Sequence, residues 1–452
     1  MTRLLPCTGI ILLCGALGAC AAYRPAPVSP SAAVPQRAAR TLPEAQNWST
    51  SSLLAQAILW SPAIRESAAN VRSLVAAARA ARVPPPGSLQ LTSEYSHDDN
   101  PSKPWLGSGL FDIPLDIGGR RNTRIDAADL ATLQGRYDYG EVVWTARSAI
   151  RRALIDRQFA DRLTPLAARA LALRQDRYDK LQARVGAGEE ARPISILAQL
   201  DLANAQRRAR DITARRAQAD VALGNAIGAD PAAVAAIAVE PIEGSAPVPS
   251  HPDLAGWRRD ASAGRRDVLR AIVDYDLAEN AVRQEVANQY PALRIQPGYT
   301  YERGLVKLPF GVALQLPPID LNRAALAAAE RKRAQAGVKL EALQSTILGE
   351  VDRTATALAA QSYAETVTAT RDVPTARRLA ERAAASLREG AGDRVDEEAA
   401  AATAIDTEIA LIEAMRLAWL ASVDLEDALR RPNDPRDGLV LEQAMKTLGD
   451  TK

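Results

Sequence analysis

The chain has 452 residues, with 56 basic and 54 acidic side chains and a formal net charge of +2. That balance gives no footing for nucleic acid or a strongly polar partner surface, and the length allows two or three domains. Aromatic residues make up only 4% and alanine is abundant, which suits long, closely packed helices over a bulky globular core.

Residues 1–19 read as a signal peptide: Arg3 gives a positive start and 4–17 is an apolar run too short to span a membrane. Leu17-Gly18-Ala19-Cys20 resembles a bacterial lipobox, which makes Cys20 the expected lipidation site; an ordinary signal cleaved nearby is the alternative. Cys7 and Cys14 leave with the signal, so Cys20 has no disulfide partner in the mature chain. Residues 20–50 are rich in proline and read as an extended tether without a core.

A helix of about 30 residues follows over 51–83, broken near Ser61-Pro62 and ended by Pro84-Pro85-Pro86. The stretch 88–116 reads as a β-hairpin. Leu89, Leu91 and Tyr95 alternate with Gln90, Thr92 and Glu94, and alternation over roughly 10 residues fits a strand tilted across a bilayer. His97-Asp98-Asp99-Asn100 at its tip are ordinary turn residues rather than a metal site. From 120 to 185 a helix of about 66 residues, ~100 Å long, is expected. Phe159, Leu163, Leu166, Ala170 and Leu173 form its coiled-coil stripe, with Pro165 bending it. Gly186-Ala187-Gly188 stops the helix, and 194–224 returns with Ala205, Ala209, Ile212, Ala219 and Leu223 on one face.

After a Pro- and Gly-interrupted segment over 226–253, the plan repeats. A half-length helix covers 254–288, and a hairpin covers 292–318 with its tip at 302–307. A long helix over 322–389 is interrupted by Pro374, and Gly390-Ala391-Gly392 leads into a return helix over 394–430. One offset of 204 takes Leu89 to Leu293, Tyr95 to Tyr299, Gly107 to Gly311, Leu110 to Leu314, Asp116 to Asp320 and Gly186 to Gly390. The return stripe Ile405, Ile409, Ile412, Trp419 and Val423 falls at an offset of 200, so the first tip is longer by four residues. Domains therefore run 51–225 and 254–430 as repeats, with 431–452 as a tail.

Although aromatics are scarce, Tyr95, Trp105, Phe111, Tyr299, Tyr301 and Phe310 all lie in the hairpins, as interface girdles require. Each chain supplies four strands, whereas known single-chain barrels close with about eight or more. Open edges cannot face lipid, so membrane insertion demands oligomerisation. The mature chain has no zinc spacing, no phosphate-binding loop and no nucleophile motif; His97 and His251 stand far apart. No enzyme activity, metal or cofactor is expected, and energy for any transport must come from a partner.

The duplicated helix–hairpin–long helix–Gly tip–return helix plan, the Cys20 anchor and Leu115-Asp116-Ile117-Gly118-Gly119-Arg120 resemble the TolC-type outer-membrane efflux channels, over essentially the whole mature chain. Leu316-Pro317-Pro318-Ile319-Asp320-Leu321-Asn322 resembles the lipidated, heavy-metal efflux branch. The resemblance implies a mainly α fold with a small β part. It further implies a homotrimer whose twelve strands form an outer-membrane barrel above a periplasmic α-helical barrel. A periplasmic adaptor and an inner-membrane pump would dock at the tips, Gly186, Ala187, Gly188, Gly390, Ala391 and Gly392. Asp396, with Asp393 nearby, matches the carboxylates that narrow the periplasmic aperture in that family. Arg192-Pro193-Ile194 stands where an acidic residue is usual at the first tip, so a symmetrical ring is not implied. Two other readings remain open: a periplasmic coiled-coil scaffold or adaptor lipoprotein with a soluble sheet, and a channel of the same architecture for protein secretion.

Overall fold

A computed structural model describes residues 23–43, 47–95, 104–247, 253–302 and 304–449. The signal segment, Cys20, His97 and His251 lie outside the described residues. The chain divides into two units at Thr41–Leu42. Within the first, the proline-rich stretch is not extended throughout: a turn at Pro30–Ala32 leads into a short helix α1 (Ala33–Ala38).

The second unit begins with Leu42 and Trp48, both buried, so the final part of the expected tether belongs to a core. Trp48 pairs its backbone with the inter-repeat segment as a parallel bridge to Val239. Ser49 then caps α2 (Thr50–Trp60) through a reciprocal capping box with Ser52. Ser61 takes an extended conformation, and Pro62 starts α3 (Pro62–Ala81), where its missing N–H costs nothing. The strand pair β1 (Ser88–Tyr95) and β2 (Trp105–Leu115) follows, then α4 (Arg120–Gly186), which carries Pro165 in one unbroken helix. At ~1.5 Å per residue α4 is about 100 Å long. It returns as α5 (Arg192–Ile227), and α6 (Pro231–Ala235) lies in the inter-repeat segment. Arg157 clamps that segment, donating to the carbonyls of Val234 at 2.9 Å, Ala235 at 3.2 Å and Ile237 at 2.8 Å.

The second repeat departs from the sequence expectation in three places. Its half-length helix is two helices, α7 (Leu254–Gly264) and α8 (Arg266–Ala287), broken at extended Arg265, 204 residues beyond Ser61. No proline marks the break. Arg265, 4% exposed, is held by Asp267 at 2.7 Å, Glu350 at 2.8 Å and the Ala428 carbonyl at 2.7 Å. The hairpin is β3 (Ala292–Glu302) against β4 (Leu305–Lys307) and β5 (Phe310–Gln315), so Leu305, Val306 and Lys307 are paired strand rather than tip. Gly304, at φ 91°, makes the tight turn. Pro309, which has no N–H to donate, separates β4 from β5 and accepts from Gly298 N at 2.8 Å. The long helix is α9 (Arg323–Val367), a π-helical turn (Thr368–Asp372) and α10 (Val373–Arg388). Pro374 lacks an N–H and its ring crowds the carbonyl four residues back, and the widened turn relieves both. The chain closes with α11 (Arg394–Leu429) and α12 (Pro435–Gly449).

The helices form a row. Near the sheet the packed pairs are α3 on α4, α4 on α8 and α8 on α9; farther out α5, α4, α11 and α10 take over. The predicted stripe is buried at Phe159, Leu163 and Ala170, and meets Ile212, Ile405 and Ile409 from the return helices. Between these halves a larger core gathers Trp48, Leu53, Leu54, Trp144, Ile227, Val234 and Leu441.

Beside that core lies a wholly buried charge cluster. Arg147 reaches Glu426 at 2.5 Å and Asp437 at 2.8 Å, tying α4 to α11 and α12. Burial pushes both carboxyls above their ordinary range, against the pull of Arg147 and Arg151. Arg147→Met leaves two buried carboxyls without their partner and should destabilise the fold by about 3–5 kcal/mol, read from thermal unfolding of the purified protein. A carboxyl with a raised folded pKa stabilises the fold below the ordinary carboxylate range, and that contribution is lost as pH rises through the raised value. Glu426→Gln should therefore gain stability relative to wild type as pH rises from about 4 towards 7; a pH-independent difference would refute the assignment.

Candidate functional site: the sheet and the helical tips

Opposed residues in antiparallel strands share a face. Leu89 lies opposite Phe111, Tyr95 opposite Trp105, Tyr299 opposite Gly109, Ile295 opposite Ile113 and Val312 opposite Ile295. One face of the order β1-β2-β3-β4/β5 therefore carries Leu89, Leu91, Ile113, Leu293, Ile295, Val312 and Leu314 together with all six hairpin aromatics, while Leu106, Leu110 and Leu305 fall on the other. It is open to the surroundings: Leu91 is 75% exposed and Phe310 70%. The other face carries Gln90, Thr92, Glu94 and Ser108, and Arg294, which donates to Asp112 at 2.8 Å. Among the described residues no helix packs across either face, and no buried cluster includes a strand residue.

The pairing corrects the gapless repeat alignment. Leu89 faces Phe111, whereas Leu293 faces Leu314, so the second strand of the hairpin repeats at 203 rather than 204. Gly107 and Gly311, matched by the alignment, lie on opposite faces, as do Leu110 and Leu314. A one-residue slip turns every side chain over, and the apolar alternation determines which register survives.

At the far end of α4, Gly186 closes the helix and Gly188 turns the chain at φ 78°; Gly390 does the same at φ 72°. Ala187 and Ala391 occupy the corners between them. A Cβ on Gly392 would come within 3.0 Å of the Leu387 backbone N and 2.9 Å of Ser386 Oγ, so that corner admits only glycine without rearrangement. The two corners lie side by side. Leu181, Ala198 and Val395 form a small core between them, and Arg184 donates to Asp393 at 2.7 Å. Asp393 also caps α11, accepting from Val395 N at 3.0 Å. The Arg184 guanidinium and that backbone bond hold its carboxyl far below the usual carboxylate range. Asp393 is thus a structural clasp between the tips. Asp396, one turn on, is exposed and makes no ion pair or hydrogen bond among the described residues.

Sequence reasoning missed Arg184 and the Lys180–Glu398 pair beneath it. Glu398 is 1% exposed and also accepts from Arg394 at 3.1 Å. A signal existed: Glu398 sits on the buried stripe of Val395, Ala402, Ile405 and Ile409 at three-four-three-four spacing, where an acid needs a partner. Among the described residues no group of His, Cys, Asp and Glu is placed to hold a metal, and no helix is long and apolar enough to cross a membrane.

Residues 53–229 match the model of the outer membrane efflux protein family. No curated protein matches the chain. Among solved structures, a membrane protein from Pseudomonas aeruginosa is 20% identical, with a TM-score of 0.69 over 84% of this chain and 93% of that one. The outer membrane protein VceC from Vibrio cholerae is 18% identical, with a TM-score of 0.68 over 85% and 97%. The MtrE outer membrane channel of Neisseria gonorrhoeae, in its open state, is 16% identical, with a TM-score of 0.66 over 84% and 89%. The match to that family model covers the first repeat, and the fold of the chain is shared with those outer membrane proteins and channels.

Proposed function

We propose that three copies of this chain close into a passive duct for a tripartite efflux system, anchored in the outer membrane through Cys20 and the sheet. An inner-membrane pump supplies the energy, and a periplasmic adaptor docks around the Gly186–Gly188 and Gly390–Gly392 corners. The observation that carries this reading is the sheet: one face that gathers all six hairpin aromatics and most of the aliphatic side chains, an opposite face that carries the charged and amide side chains, and two unpaired outer edges, β1 and β4/β5. In lipid each unpaired backbone group costs several kcal/mol, so the edges need the edges of sister copies. Exposed Ile196, Leu197 and Leu200 on α5, and Val338, Tyr363 and Leu379 on α9 and α10, give the outer helices apolar surface for the same neighbours. A soluble scaffold would need something to cover the apolar face of the sheet. Crosslinked, purified protein should run as a trimer and form conducting pores in planar bilayers; a stable monomer without conductance would refute the duct.

The register of β5 gives a sharper test. Val312→Arg places a charge on the apolar face and should destabilise the inserted barrel by about 2–4 kcal/mol. Ala313→Arg, one residue along, faces the polar side and should leave assembly intact. Equal effects from the two, measured as heat-resistant trimer, would contradict a membrane-facing sheet.

The tips give the third prediction. Arg184→Ala unfastens Asp393 and should raise single-pore conductance several-fold, with Arg184→Lys restoring most of the closed behaviour. A carboxyl with a depressed folded pKa contributes stability above its unfolded value and loses it only as pH falls through the folded one. Closure should therefore persist on acidification past about pH 4, the ordinary aspartate value. Opening at mildly acid pH in the wild type would count against the clasp.

A further inference from the structure

The duplication allows the two repeats to be compared cavity by cavity. In the first, Leu53 of α2, Leu154 of α4 and Leu223 and Ile227 of α5 form a socket whose members are at most 4% exposed. Val234 of α6 and Ile237 just beyond it pack into the same cluster, held there by the Arg157 clamp. The spacing of 204 takes Leu53 to Trp257 and Leu154 to Leu358. Gly228 and Arg430 end α5 and α11 in the same left-handed conformation, and counting back from them matches Leu223 with Leu425 and Ile227 with Leu429. Those four residues of the second repeat line an open groove of about 540 Å³.

Gly224 decides the difference. A Cβ there would stand 3.1 Å from the Ala229 carbonyl oxygen and 3.2 Å from Pro231 N, so a glycine gives the chain room to fold back onto α5. The matching residue on α11 is Glu426, whose buried carboxylate is paired with Arg147. There the chain leaves for α12, which packs on α2 and α4 of the first repeat. The second socket is left without the strap that closes the first: α7 packs on α8, α9 and α11, whereas α2 packs on α3, α4, α5 and α12. The rim of the groove carries charges of both signs. Asp253 is engaged, capping α7 through Gly256 N at 2.8 Å, while exposed Asp260, Arg431 and Asn433 make no side-chain hydrogen bond or ion pair among the described residues.

We propose that this groove receives an aliphatic peptide segment of a partner protein, as its counterpart in the first repeat receives residues 234–237 of the chain itself. Branched aliphatic side chains spaced as Val234 and Ile237 are rest against Trp257, Leu358, Leu425 and Leu429, and the backbone between them meets Asp260, Arg431 and Asn433 at the rim. The occupant is a peptide because a peptide fills the same lining in the first repeat. A rim with both donors and acceptors suits backbone N–H and C=O groups better than a ligand of one charge. The groove lies where α7 meets the end of α11, away from the strands and from the Gly corners. Binding here therefore neither needs nor follows from a conducting duct.

The test uses the full-length protein in lipid nanodiscs and a fluorescein-labelled synthetic peptide with the chain's own residues 229–239, read by fluorescence anisotropy. Saturable binding is expected, weakened about tenfold or more when the peptide carries Val234→Asp with Ile237→Asp, and by a similar factor with Trp257→Ala in the protein. Leu439→Ser, at an exposed aliphatic residue of α12 outside the groove, should change nothing. A second readout needs no protein variant. With benzophenone at position 234 of the peptide, crosslinks should fall on α7 or α11, in the fragments holding Trp257 or Leu425. The proposal is overturned by no saturable binding, by equal binding of the doubly substituted peptide, or by an equal loss in Leu439→Ser. Crosslinks on α2 or α5 would mean that the probe only exchanges with the chain's own strap, and would overturn it too. Binding confined to separated copies and lost on assembly would give the groove to a sister copy and overturn it as well.

Discussion

Backbone hydrogen bonding at the sheet edges is the constraint from which the rest follows. Each repeat brings one hairpin, and β2 of the first pairs with β3 of the second in register along most of its length. The two copies are thereby fused into one five-stranded sheet, in which β4 and β5 share one outer edge and β1 forms the other. A hairpin alone is marginal in any solvent, and an open sheet is excluded from lipid. The remaining edges are of different kinds, β1 on one side and β4/β5 on the other, so the pairing between copies that the proposed duct requires is head-to-tail, the kind that can close as a ring. Tandem duplication supplies half of the hydrogen-bonding problem's solution within one chain, and in the proposed duct symmetry would supply the other half.

The rods solve a different problem. Their stripes are rich in alanine, which lets helices approach closely but removes little apolar area per residue, so packing alone discriminates weakly between registers. Ion pairs between helices supply the discrimination. Arg174 with Asp406, Arg215 with Glu413 and Arg416 with Asp156 mark successive heights between the first and second repeats. Most are partly exposed and contribute little stability each. Their value is that a one-turn slip would break all of them together. Arg147, Arg157 and Arg265 differ in being buried, and each holds an irregular feature: the C-terminal helix, the inter-repeat segment and the α7–α8 break.

What could be read from sequence divides along the same line. Periods of two and 3.6 residues are local, so the strands, their apolar face, the long helices and the glycine corners were legible, and the repeat at 204 gave their order. Features that depend on a partner far along the chain were not. The break at Arg265 has no local breaker, only a guanidinium whose partners sit near 350 and 428. The one-residue slip in the second hairpin cannot be seen in an alignment that runs through it without a gap. Asp393 looked like an aperture carboxylate because its partner, Arg184, lies more than two hundred residues earlier. Asp396 keeps that candidacy because none of the described residues engages it.

The two repeats share the plan of their hairpins and diverge at their tips. Arg184 stands three residues before the C-cap of α4, and the residue at that place on α10 is Ser386, which has no cation to offer. The residue that caps α5, as Asp393 caps α11, is Ala191, which has no carboxylate to offer. The clasp at the tips therefore exists once per chain, at the seam between its own two repeats. In the proposed ring of copies the seams inside each chain would be fastened by this pair, and Ala191 could not supply the same carboxylate to a seam between chains. A pseudo-symmetric sheet above and an unsymmetric set of tips below is the arrangement expected if the sheet must stay shut and the tips must part. The expected four extra residues of the first tip are not in its turn: Ala187 to Ala191 and Glu389 to Asp393 are equally long, and the first tip differs instead in its capping residue and in Pro193 at the start of α5.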